Sequence, residues 1–320
     1  MKIDAPFEKS HVLTTICIRC FNRIDSLQSA VDSCLKQTRP ANVLIIDDGS
    51  QKPTVELIRK LVASEMRVEA IFLEKNLGPS NATNVAIESV RSRYMGFLDS
   101  DDLLDEHYVE EFEHALKSRS RAAVAYCRFQ GGPRWDIEGV DVFRQVLRQG
   151  SLSAHGTIFG RTDAFQAIPK LPTRSEIRFD FCDDDRLSFE LARRFEVIHV
   201  PRDLYIYQVS ADERLTYKSD EMFGSFSRLF FDYSFDYKQE SLLFSLGSHH
   251  ANIYMKYRPS GCGPIQYAVQ SASSEKFGPG KLAIFLGYLT RLLWESLVRE
   301  KVKTRRNVQI LLVRIKRLLR

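Results

Sequence analysis

The 320-residue chain contains no uninterrupted apolar run of about 18 residues or more, the length a helix needs to cross a bilayer. Its nearest approach, Leu282 to Val298, is broken by Arg291 and Glu295. Met1 to Ser10 holds no apolar segment of the kind a secretory leader carries. Cysteine is scarce: Cys17, Cys20, Cys34, Cys127, Cys182 and Cys262 are too few in a chain this long for a disulfide-stapled scaffold. These absences read as a cytoplasmic protein with reduced thiols. No internal repeat is visible. A hydrophobic fraction of 44% with 27% charged residues excludes a largely disordered or collagenous chain. The length suits one large domain with an appendage, or two domains.

The formal net charge of +5 conceals a split. Residues 299–320 carry nine Lys or Arg against one acid, Glu300, a net of +8, so the preceding 298 residues are mildly acidic at −3. Within this end, Leu311, Leu312, Ile315, Leu318 and Leu319 fall on one helical arc, with Arg314, Lys316, Arg317 and Arg320 opposite. That pattern fits an interfacial helix drawn to anionic lipid, or a helix packed on the body or on a second subunit. No nucleic-acid-binding module is recognisable.

From Val12 to Arg128, short β-rich runs alternate with helical periodicity. The expected strands are Val12–Ile18, Val43–Asp47, Val68–Leu73, Tyr94–Leu98 and Ala122–Arg128; the expected helices are Ile24–Lys36, Thr54–Ala63, Asn81–Val90 and Asp105–Lys117. Continuously apolar strands separated by amphipathic helices predict an α/β fold with a mostly parallel sheet covered on both faces. Residues 129–150 read as a loop and a helix. Strands at Thr157–Gly160 and Val197–Val200 finish this domain near Thr216, and residues 217–320 form a C-terminal helical region. In such sheets ligands bind at the carboxyl ends of the strands.

Carboxylates gather where those ends fall. Asp47 and Asp48 close the second strand, Asp99, Asp101 and Asp102 close the fourth, and Asp183, Asp184 and Asp185 precede a helical run. Parallel strands put the first two groups on one sheet edge, a concentration of negative charge that calls for a cation. Asp99-Ser100-Asp101 suits Mg²⁺ or Mn²⁺. An EF-hand starting at Asp99 fails, because Leu103 and Leu104 stand where an oxygen ligand and a glycine are required. The Cys17–Cys20 CxxC reads as buried strand rather than redox chemistry. His249-His250 lacks metal-spaced partners, and Asn81-Ala-Thr83 means little as a glycosylation acceptor without a leader.

The ordered set Ile45-Ile46-Asp47-Asp48-Gly49-Ser50, Asn76-Leu77-Gly78-Pro79-Ser80-Asn81-Ala82-Thr83-Asn84 and Phe97-Leu98-Asp99-Ser100-Asp101-Asp102 resembles the nucleotide-sugar-binding half of family 2 glycosyltransferases with the GT-A fold. Ile18-Arg19-Cys20-Phe21-Asn22-Arg23 and Asp183-Asp184-Asp185-Arg186-Leu187 are similar to the family's opening and later acidic motifs. The resemblance covers Val12 to Thr216 and implies an inverting transferase. Its donor would be a nucleotide sugar, most often of UDP; its acceptor a glycan or lipid-linked hydroxyl in surface polysaccharide synthesis, at the inner membrane face.

The resemblance also implies roles. Asp48 would accept a hydrogen bond from the base, and the backbone of Ile18, Arg19 and Cys20 would line its pocket, with Asn22, Asn76, Gly78, Thr83 and Ser100 beside the donor. Asp99 and Asp101 would form the DxD element that holds Mn²⁺ or Mg²⁺. Asp184 would be the general base, and His155 would lie near the sugar and acceptor. The family often has Arg where Thr83 stands, and a His near Tyr207-Gln208-Val209-Ser210, absent here; Arg214 is the expected compensating contact to the diphosphate. Two other classes remain: a non-catalytic scaffold of this fold, and a nucleotidyltransferase, which the lack of a glycine-rich loop with a basic residue disfavours.

Overall fold

The computed structural model describes residues 11–129, 155–173 and 183–208. The chain divides into two compact units, Met1–Ser225 and Phe226–Arg320, and every described residue lies in the first. The expected helix before residue 150, Arg214 and the basic C-terminal region fall outside the described residues.

Among the described residues eight strands form one sheet: β1 (Thr14–Cys20), β2 (Asn42–Asp47), β3 (Val68–Phe72), β4 (Tyr94–Asp99), β5 (Leu103–Leu104), β6 (Val124–Phe129), β7 (Ile158–Arg161) and β8 (Val197–Ile206), in the order β3-β2-β1-β4-β7-β6-β8-β5. The first four are mutually parallel, with Cys20 opposite Asp47 and Arg19 opposite Asp99. The Asp47-Asp48 and Asp99-Asp101 groups therefore share the carboxyl edge. β7 runs antiparallel to both β4 and β6, β8 is parallel to β6, and β5 is antiparallel to β8.

Residues alternate between the two faces of each strand. Ile16, Ile18, Cys20, Val43, Ile45 and Leu98 join one core cluster with α1 (Leu27–Leu35), α2 (Lys52–Ser64) and α4 (Tyr108–Ser118). Their neighbours Cys17, Leu44, Ile46 and Phe97 are equally buried, beneath the side where α3 (Pro79–Ser89) meets α5 (Thr162–Gln166) and α6 (Asp183–Arg194). Burial on both faces explains why β2 reads as an unbroken apolar run. α6 carries three aspartates in its first turn and Arg193 and Arg194 in its last, which complements its dipole.

Boundaries differ from the sequence expectation for local reasons. β1 lies two residues later than expected because Asp48 N–H donates to the Cys20 carbonyl at 2.9 Å, extending the pairing to the strand end. α4 begins at Tyr108 because the Asp105 carboxylate accepts from His107 N–H at 3.0 Å, making a turn of the residues expected to be helical.

Gly156 marks a tight passage. Its carbonyl accepts from the Tyr108 hydroxyl at 2.9 Å, and a Cβ there would lie 2.1 Å from the Tyr205 ring. Gly156→Ala is expected to destabilise the domain by about 2 kcal/mol, within the overpacking range. A fall in the urea midpoint measures it; an unchanged midpoint would mean the ring has room to move.

Candidate active site

Two turns close over each other at the carboxyl edge. Gly49 has φ +71°, and a Cβ on it would sit 2.5 Å from the Lys75 carbonyl carbon, so only glycine lets residues 48–50 approach residues 75–78. Asp48, 5% exposed, accepts from Leu77 N–H at 2.8 Å and Gly78 N–H at 2.9 Å. Asn22, also at positive φ (53°), accepts from Gln51 N–H at 2.8 Å, while its own N–H donates to Ser50 Oγ at 2.9 Å. Asp48 and Asn22 thus shape the edge through backbone groups.

The second assembly centres on Arg19. Its Nη2 donates to Asp99 Oδ1 at 2.5 Å, and its Nη1 to Asp183 Oδ2 and, at 3.3 Å, to Thr83 Oγ1. Thr83 Oγ1 donates to Asp183 Oδ2 at 3.2 Å, and His155 Nδ1 lies 3.4 Å from the same oxygen. The His155 ring stands edge-on to Phe97. Positive charge beside Thr83, where the family resemblance expected an arginine, comes here from β1. Arg23 lies 3.4 Å from Asp101.

Adjacent carboxyls on α6 have opposite proton affinities. Burial would raise Asp183, but Arg19 and His155 overrule it and hold the group well below the usual carboxylate range. Burial, then the charge of Asp183, pushes the half-buried Asp184 up to about 7. Such divergent pairs separate an electrostatic role from a proton-transfer role. Burial and, next, Arg19 lower His155, which favours the neutral ring. Asp102 is pushed up to about 7, chiefly by burial; it accepts from the Tyr205 hydroxyl and from Gln208 N–H, the latter at 2.8 Å.

The structure therefore brings Arg19, Thr83, Asp99, His155 and Asp183 into one network, with Asp101 and Asp184 the near neighbours of its acids in the chain. The side chains of Ile18 and Cys20 are buried in the core, leaving only their backbone for the edge. Burial raises both CxxC thiols, Cys20 to about 12, so neither supplies a thiolate. Ser100 is buried, and Gly78 (φ 95°) caps α3. The side-chain role of Arg19, the part played by Asp183 and the Asp102–Tyr205 contact were missed from sequence. A lone arginine near the end of a buried strand was the available signal for the first.

Asp99 and Asp101 offer hard oxygen donors, with side chains 35% and 19% exposed. Among the described residues no three His, Cys, Asp or Glu side chains are grouped to hold an ion unaided. The pair fits Mg²⁺ or Mn²⁺ in the manner of nucleotide sites, where one or two carboxylates are supplemented by phosphate oxygens and water.

Comparison with known proteins agrees with this geometry. The family model "Glycosyl transferase family 2" matches residues 15–167. A chondroitin synthase of Pasteurella multocida (strain Pm70) is 38% identical over 125 residues, 37% of this chain and 13% of that protein. An uncharacterized glycosyltransferase of Haemophilus influenzae is 32% identical over 124 residues, 37% of this chain and 50% of that one. The matches thus span half or less of these relatives' length. Among solved structures, S. aureus TarS 1-349 in complex with UDP-GlcNAc superposes with a TM-score of 0.58 at 14% identity, over 86% of this chain and 79% of that 1-349 chain. The mannosyltransferase PcManGT of Pyrobaculum calidifontis, in complex with GDP-Man and Mn²⁺, gives 0.54 at 14% identity, over 88% and 87%. At these identities the superpositions show a shared fold.

Proposed function

From residues 15–167, which belong to glycosyltransferase family 2 and lie in a GT-A fold, we propose that the chain is an inverting transferase that moves a sugar from a nucleoside-diphosphate donor to an acceptor hydroxyl. The observation that carries this reading is the meeting of the α6 acids with the β4 strand-end acid, where Asp184 has a proton affinity near neutrality while Asp183 stays ionised.

Asp184 takes the proton from the acceptor hydroxyl; a base matched to the working pH does this best. Asp183 remains charged and anchors the helix that presents the base. The turns at 48–50 and 75–78 hold the nucleoside end of the donor, shaped by Asp48. A divalent ion held by Asp101 and Asp99 would neutralise charge on the departing diphosphate. Separate carboxylates for base and leaving group support single displacement without a covalent sugar intermediate. The UDP-GlcNAc complex of TarS supports a UDP sugar as donor, and the chondroitin synthase relative supports a polysaccharide acceptor.

Thermal-shift measurement with UDP and GDP sugars, in Mn²⁺ and in chelator, tests the reading. A cognate donor at a hundredfold excess over its Kd adds about 2.7 kcal/mol, a shift of several degrees. Asp101→Ala is expected to lose the Mn²⁺-dependent part of that shift. No shift with any nucleotide sugar under either condition would refute the proposal.

A further inference from the structure

Arg19 shares its face of β1 with the fully buried Cys17, and its own side chain is 13% exposed. A guanidinium enclosed to that degree is strongly disfavoured unless it is paired and hydrogen-bonded. Its pairing spans the site: Nη2 to Asp99 at the end of β4, Nη1 to Asp183 at the start of α6 and to Thr83 on α3. The two carboxylates lie 80 and 164 residues from Arg19 in sequence, so no local structure brings them together. α3 is the principal neighbour of α6 among the described elements, and among the described residues Arg19 and Thr83 hydrogen-bond to Asp183 Oδ2 at the N-terminus of α6, with His155 Nδ1 3.4 Å from the same oxygen.

We propose that Arg19 is the resident cation of this site: its guanidinium clamps the acid-bearing end of α6 to the strand-end carboxylate Asp99. The protein's own charge thereby assembles the edge before a donor or divalent ion arrives. Arg19 is a positioning residue, acting through Asp183 on the placement of Asp184. A planar fork suits two carboxylates at once, whereas a lysine ammonium is a single point of charge. Because Nη1 already lies 3.3 Å from Thr83 Oγ1, a longer side chain at position 83 reaches the same spot. The charge is therefore transferable from β1 to α3. The effect on turnover rests on the transferase reading; the docking of α6 does not.

Amide hydrogen exchange of the full chain tests the clamp, comparing wild type with Arg19→Ala, Arg19→Lys and the double variant Arg19→Ala/Thr83→Arg. Wild-type α6 should exchange equally in Mn²⁺ and in chelator. In Arg19→Ala its exchange should accelerate by about tenfold to a hundredfold, the range expected from coupling within one hydrogen-bonded network, while β2 and β3 stay protected. Arg19→Lys should fall between, and the double variant should recover most of the protection. Donor turnover should follow the same order in kcat, with a smaller change in KM.

Unchanged α6 exchange in Arg19→Ala, deprotection of wild-type α6 by chelator, or no recovery in the double variant would each overturn the inference. If Arg19→Ala loses protection throughout, Arg19→Lys decides: a loss confined to α6 supports the clamp, and a global loss refutes it. A wild type that consumes no nucleotide sugar refutes the transferase reading alone, because the exchange result stands or falls separately.

Discussion

Asp184→Asn is expected to lower the proposed transfer by about a thousandfold while donor affinity stays within about threefold; general-base removal costs 10²–10⁴ in rate. Asn keeps the oxygen that accepts from Asp185 N–H at 2.9 Å, so the start of α6 keeps its local bond. The wild-type pH profile supplies a second readout. With the Asp184 carboxyl pushed up to about 7, the base is protonated below that pH, so the rate should climb as pH rises and level off above it. The residual rate of Asp184→Asn should lack that inflection. Stability moves the other way. The folded pKa lies above the unfolded value, so the native state holds the extra proton between about pH 4 and 7, and the group's contribution becomes progressively unfavourable as pH rises through that window. Above pH 7 the Asn variant should therefore be at least as stable as wild type. Transfer at the wild-type rate would remove Asp184 from the chemistry.

Asp48→Ala should cost about 3 kcal/mol and lower Tm by roughly 6–12 °C. The buried carboxylate accepts from two backbone N–H groups, Leu77 at 2.8 Å and Gly78 at 2.9 Å, and its removal leaves both without that partner. The 75–78 turn would then move off the 48–50 turn, so nucleotide affinity should fall together with stability. Asp48→Asn retains one acceptor oxygen and should lie between. Differential scanning calorimetry measures the first effect and nucleotide titration the second; an unchanged Tm would show that the turn is held by other groups.

The parallel half of the sheet was legible because its signal is local. All six residues of β2 are buried, so an apolar run followed by two aspartates says both where the strand lies and where it stops. The acid clusters were legible for the same reason, each being a short run of sequence. β1 was misplaced because a charged residue looked like the end of a strand. Arg19 is inside because its counter-charges arrive from Asp99 and Asp183, and no sequence window contains them. β5 has only two residues, and its pairing with β8 is equally remote. The sequence therefore displayed the carboxylates, but not which of them are spent on structure: Asp48 on a turn, Asp183 on an arginine, Asp102 on a tyrosine.

The bonds of Asp102 reach forward 103 residues to Tyr205 and 106 to Gln208. During synthesis at about 5–20 residues per second, that separation amounts to roughly 5–20 s. For this interval a nascent chain can already possess β1, β2 and β4 with their acids, yet it lacks the groups that satisfy Asp102 and, until α6 is made, the Asp183 that pairs with Arg19. This edge is thus begun early and completed late. A ribosome stalled before β8 would display an acidic edge on which Asp102 still lacks Tyr205 and Gln208, and the arrival of β8 supplies both.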